Sequence, residues 1–296
     1  MVAVDVTFVN FFSRVTFHPL WTVGLLAALI WYVRSARRAA NWPPVRTACF
    51  LGGLLVVAVA TLSGLTSWDT TNFTVQAVQQ MLLSMVAPVL LLVSAPLHLA
   101  LETTGPRGGR VVKRATGSVA ARVLTNPVVA WLLYAACFAV VYFTGLYRLG
   151  VDHGWVNGLI GLGMLLAGLI FYTPVIGEDL PPRRMPQPAR LLYFIVGLPF
   201  FTIIGMALES QHRTLAPGLT LSDVHTGGGV LWTAGEFVSI LGTIAMLVVW
   251  LRQEELGARR RDELDEDTAL AQAAAWRAER EAAQARPAQT RQAQTS

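Results

Sequence analysis

Residues 72–101 read NFTVQAVQQMLLSMVAPVLLLVSAPLHLAL. The stretch exceeds the ~20 apolar residues that span a bilayer core, yet it opens with three glutamines and contains Pro88 and Pro96. Gln76 and Gln80 lie four residues apart, so on a helix one stands above the other. Gln79 falls beside them, and Leu83, Ser84 and Ala87 continue the same side. A glutamine amide without a partner in hydrocarbon costs roughly 2–7 kcal/mol. The stretch therefore predicts a transmembrane helix whose polar side meets partners on neighbouring helices.

The rest of the chain agrees. Of 296 residues, 54% are hydrophobic and only 14% charged, against about 25% charged in soluble domains. The fold class expected is an all-α polytopic membrane protein. Seven apolar segments are predicted at 17–33, 45–65, 73–98, 127–146, 155–176, 191–208 and 229–251. A short N-terminus (1–16), a seven-helix domain (17–251) and a charged tail (252–296) follow from that division. The tail is expected to start as a helix and fade into disorder, because its Ala/Gln/Arg-rich end lacks core-forming residues. The loop GEDLPPRRMPQPAR at 177–190 is expected as an extended strap.

Loop charge sets the orientation. Twenty of the 23 basic residues fall on one side of the seven segments, leaving Arg14, Arg148 and Arg213 on the other. The positive-inside rule then predicts the N-terminus outside and the C-terminus in the cytoplasm. The same distribution makes nucleic acid an unneeded explanation for the basic balance; the lipid bilayer is the partner implied. Cys49 and Cys137 lie in apolar runs and form neither a disulfide framework nor a CxxC motif.

Orientation assigns the polar residues to one side. Gln76 and Gln80 lie in the outer third of segment three, with His153 at the mouth of segment five and Asn157 one turn deeper. His225 lies at the mouth of segment seven and Glu236 in its outer third. A carboxylate inside a span costs ~2.5–3.5 kcal/mol at the centre, so Glu236 should face the bundle. Trp232, Ser239 and Thr243 share its face by helical spacing. These positions predict an outward-facing polar pocket. His153 and His225, with Glu236 or a sulfur of Met81 or Met85, make a candidate copper or zinc set. No HxxxH, HExxH or CxxC spacing supports it, and no triad or phosphate loop points to an enzyme. A purely structural helix-to-helix hydrogen bond is the other reading of Glu236.

Four blocks, QQMLLSMVAPVLLLVSAP (79–96), Asn126-Pro127, FYTPVIGEDLPPRR (171–184) and LSDVHTGGGVLWTAGE (221–236), resemble the CtaG-type cytochrome c oxidase assembly factors in their actinobacterial form. The resemblance covers about 70–250. It implies a multi-pass protein of the bacterial plasma membrane, with oxidase subunits or other assembly factors as partners. It also implies a role in placing copper on the outer side of the oxidase. It adds Asp223 to the pocket, together with Trp232, and supports the blocks around Pro88 and Gly227, Gly228 and Gly229. The family pattern usually has histidines where this chain has Gln76 and Gln80, and amides are poor copper ligands. The rival reading is a transporter or channel carrying a small solute or proton through the pocket. Such a path needs polar residues across the whole bilayer, and the inner halves of the segments are almost wholly apolar.

Overall fold

The computed structural model describes residues 18–63, 72–176 and 185–293. Among these, every regular element is a helix: α1 Pro19–Ala36, α2 Pro44–Leu62, α3 Phe73–Met81, a π-helical turn Leu82–Val86, α4 Ala87–Val93 and α5 Pro96–Thr103. There follow α6 Pro106–Thr116, α7 Val119–Leu124, α8 Pro127–Phe143, α9 Leu146–Asp152, α10 Gly154–Ile176, α11 Gln187–Glu209 and α12 Leu221–Ala293. The chain divides into two compact units, Met1–Thr243 and Ile244–Ser296. In the second, helix continues to Ala293 and exposes Leu264, Leu270 and Trp276.

Local chemistry sets the helix starts. Proline stands in the first turn of α1, α2, α5, α6 and α8, where its missing N–H costs nothing and its φ suits the helix. Side-chain caps begin α3, α7 and α8. Asn72 accepts from Val75 N, Ser118 from Ala121 N, and Asn126 from Val128 N and Val129 N. Each such cap is worth about 1 kcal/mol.

Among the described residues, five helices are long and apolar enough to cross a membrane: Pro19–Ala36, Pro44–Leu62, Phe73–Thr103, Gly154–Ile176 and Pro188–Glu209. The pair α8–α9, bent by 62°, makes six if counted as one span. The seventh expected segment, 229–251, is helical within α12 but is not among these. Part of the basic stretch between the third and fourth segments, expected as a loop, forms the helices α6 and α7. Gly105, Pro106, Gly117 and Ser118 fall at helix boundaries, so the basic residues lie on short helices instead of irregular chain. Residues 177–184 of the expected strap lie outside the described residues, and its end, Gln187–Arg190, is helical, forming the first turn of α11, instead of extended.

The central packing is α10 against α8, α9, α4 and the π turn, with α2 against α4 and α1. The third span is not a straight rod. Pro88 cannot donate to the Ser84 carbonyl and its ring crowds that oxygen. The chain widens there, and Ala87 N–H bonds five residues back to Leu82 O. The opened face receives α10 at Gly168, where a Cβ would collide with the Ser84 carbonyl and fall 2.7 Å from Pro88 Cγ. A second break follows at Ala95, whose φ of +50° is left-handed. Tyr32 steadies that break: its hydroxyl donates to Ser94 O at 3.0 Å, accepts from Trp42 Nε1 at 3.2 Å, and its ring stacks on Phe50 at 3.8 Å.

Helices α11 and α12 meet through small residues, as helices in lipid do when packing alone must hold them. A Cβ on Gly205 would sit 2.6 Å from Trp232 Cβ and 2.7 Å from the Gly228 carbonyl oxygen. The glycine run thus serves close approach.

Candidate functional site

The polar side of α3 is buried. Gln76 and Gln80 are 2% exposed and Gln79 is 7% exposed. Each glutamine bonds a different helix. Gln76 Nε2 donates to Asn157 Oδ1 on α10 at 3.4 Å, and Gln79 Nε2 donates to Ala60 O in the last turn of α2 at 2.8 Å. Gln80 Oε1 accepts from the Tyr142 hydroxyl on α8 at 2.5 Å. One helix is therefore tied to three neighbours by three amides. The second amide atom of each, Gln76 Oε1, Gln79 Oε1 and Gln80 Nε2, has no hydrogen-bond partner among the described residues.

The N-terminus of α3 is closed by Asp223. Its Oδ2 accepts from Phe73 N at 2.5 Å, and its Oδ1 from Thr74 N at 3.3 Å and Thr74 Oγ1 at 2.8 Å. Asn72 takes the next amide, Val75 N, at 3.1 Å. The first-turn N–H groups that a helix leaves unbonded are thus satisfied, and a carboxylate there also matches the helix dipole.

Beside the glutamines lies a cavity of about 20 Å³ where α1, α2, α3 and α10 meet; His18, Trp21, Thr61, Gln79 and Asn157 line it. About 10–15 Å³ holds one water, so the space suits a single water-sized group. His18 precedes α1, Thr61 ends α2, Gln79 lies in α3 and Asn157 in the first turn of α10.

The expected residues separate on this frame. Gln76, Asn157 and Gln80 belong to the α3 ties. Asp223 is the cap of α3. Trp232 is 41% exposed. Glu236 Oε1 accepts from Thr202 Oγ1 on α11 at 2.5 Å, a bond between two helices. His225 Nε2 pairs with the Gln211 carbonyl at 3.0 Å. His153 is exposed, its ring 6.5 Å from that of Trp155. Met81 and Met85 are buried in the packing. No three His, Cys, Asp or Glu side chains group to hold a metal among the described residues, so the structure does not assemble His153, His225 and Glu236 into a ligand set.

Sequence reasoning left His18, Thr61 and Tyr142 out of the site. Tyr142 carried a usable signal, since a phenol within a span needs a partner. For His18 and Thr61 none was available, because which helices adjoin is not written in either residue.

Residues 26–253 match the family described as cytochrome c oxidase caa3 assembly factor. Two proteins described as uncharacterised, from Mycobacterium bovis and Mycobacterium tuberculosis, are each 32% identical over 246 residues, covering 76% of this chain and 37% of theirs. A third, from Mycobacterium leprae, is 30% identical over 278 residues, covering 86% of this chain and 42% of its own. The chain thus spans about two fifths of the length of the curated relatives it matches. No solved structure matches it. The chain belongs to the cytochrome c oxidase caa3 assembly factor family.

Proposed function

We propose that this protein is a non-enzymatic assembly factor of the bacterial plasma membrane for a caa3-type cytochrome c oxidase. It works through contact with oxidase subunits or other assembly factors and hands copper on at the outer face. The family match over 26–253 carries the reading. On the orientation expected from the basic residues, α1 has its N-terminal end outside, and the cavity lined by His18, Gln79 and Asn157 would then lie near the outer face, which supports a role there.

Copper on this reading is cargo. The buried glutamines near the cavity offer amides, which are ill suited to hold copper tightly. The imidazoles of His18, half-buried at the cavity, and of His153, exposed, can exchange a ligand. A relay needs accessible, weak donors more than a closed site. Deleting the gene should lower oxidase activity and the copper content of the purified oxidase. Restoring the chain with His153→Ala and His225→Ala should recover oxidase protein but not full copper. Normal oxidase in the deletion strain overturns the assembly role; full copper with the double variant overturns the relay alone.

A further inference from the structure

Two short helices, α6 and α7, fill the stretch between the third span and α8, and neither buries a residue. On α6, Arg107, Arg110, Lys113 and Arg114 follow one another at helical spacing and share one face. Val111 and Ala115, a turn apart, take the adjoining face, and Val111 is 68% exposed. On α7, Val119 and Val123 also stand a turn apart, both exposed, with Arg122 beside them. All five basic side chains are exposed. Arg110 Nε donates to Pro106 O and Arg122 Nη2 to Gly117 O, both backbone carbonyls of the same stretch. From Thr103 to Val151 the sequence has no acidic residue. Five cations thus stand beside exposed valines, with no carboxylate of their own stretch to neutralise them.

The place of this pair in the chain selects what lies against it. The span Phe73–Thr103 ends just before Pro106, and α8 starts at Pro127, just after Leu124. Each connection reaches ~10 Å at most, even fully extended. Both ends of the pair are therefore held within about one Debye length, ~8–10 Å, of the bilayer surface. At 11 residues, α6 is too short to cross the bilayer, which takes ~20. A basic face beside an apolar one on a short helix is the pattern of helices that lie in the interface plane. A protein partner fits less well. The two helices offer 11 and 6 residues, fewer than the ~20–30 per side of a stable protein interface.

We infer that α6 and α7 form a foot that lies in the bilayer surface and binds anionic phospholipid. Arg107, Arg110, Lys113, Arg114 and Arg122 take the lipid phosphates, while Val111, Val119 and Val123 enter the boundary with the acyl chains. Each basic residue near an anionic surface strengthens the attraction roughly fivefold. The charges thus decide which lipid is held, and the valines set the depth. The foot is separate from the polar cavity, from His153 and from His225, so it stands whether or not the chain relays copper.

The test places the full chain in nanodiscs of phosphatidylcholine alone or with phosphatidylglycerol added, and follows amide hydrogen exchange in peptides covering 104–126. Exchange there should slow at least about fivefold in the anionic bilayer. The effect should fade in 1 M NaCl, where the Debye length falls to ~3 Å. Changing Arg107, Arg110, Lys113 and Arg114 together to Gln leaves the fold intact, because α6 buries nothing, and should abolish the difference between the two bilayers. Val111→Ser with Val119→Ser should keep a difference between them but speed exchange in both. Equal exchange in the two bilayers, or a difference that survives the four glutamines, overturns the proposal. Equal slowing by inorganic phosphate in the neutral bilayer overturns it in favour of a soluble anion. Slowing by polyglutamate but not by phosphatidylglycerol overturns it in favour of an acidic protein.

Discussion

The Asp223 carboxylate grips the first turn of α3 across 150 residues of sequence, taking Phe73 N at 2.5 Å and Thr74 Oγ1 at 2.8 Å. Hydrogen bonds to a charged acceptor are worth roughly 1.5–3 kcal/mol, and this acceptor takes several. Asp223→Ala should therefore lower stability by about 2–3 kcal/mol. Asp223→Asn keeps an oxygen on one arm and should cost about half as much. Thermal unfolding in detergent reads both; an Asp223→Ala protein as stable as wild type removes the cap from the account.

Gln80 and Tyr142 make a tie that a double-mutant cycle can isolate. Tyr142→Phe leaves the Gln80 amide buried with neither end bonded, a loss of about 1–2 kcal/mol. Gln80→Leu strands the phenol in the same way. Together the two changes remove both polar groups, so the double variant should lose less than the sum of the singles. The coupling energy should be about 0.6–1.7 kcal/mol. Strict additivity means that the 2.5 Å contact carries no energy.

Gly168 faces the Ser84 carbonyl at the turn opened by Pro88. Gly168→Ala should force α10 back and cost about 1–3 kcal/mol, the usual penalty for overpacking, although alanine is the better helix former. Gly163, with nothing within 4 Å of its missing Cβ, is the control: Gly163→Ala should leave stability unchanged or raise it. Equal effects at the two positions would show that helix propensity decides, not the contact.

These residues also show what a sequence can and cannot disclose. Apolar length foretold α2 and α10 to within three residues, because burial in lipid depends on composition along the chain. The breaks at Leu82–Val86 and Ala95 did not follow from the prolines alone. Pro88 and Pro96 were visible, but a kink or a straight rod depends on whether a neighbour such as Gly168 or Tyr32 accepts the displaced carbonyl. The three glutamines were legible as a face that needs partners, and the reading of Glu236 as a helix tie agrees with its bond to Thr202. Their partners were not legible. Asn157, Ala60 and Tyr142 sit on three helices whose adjacency is a property of the whole bundle. Asp223 was placed in the pocket by resemblance, and its position in a first-turn sequence gave no hint that it caps another helix.

Glu236 offers the last test, because two roles for its carboxylate predict opposite results. As a tie to Thr202, it needs only an accepting oxygen at 2.5 Å, which an amide supplies. Glu236→Gln should then leave both stability and oxidase activity close to wild type. Glu236→Leu and Thr202→Val should each cost about 1–2 kcal/mol, and the pair together little more than either alone. A carboxylate that carried copper or a proton would behave otherwise. Glu236→Gln would fold normally and yet fail to restore oxidase in the deletion strain. Measuring melting temperature and oxidase activity on these four variants separates the two roles, and the bond to Thr202 favours the first.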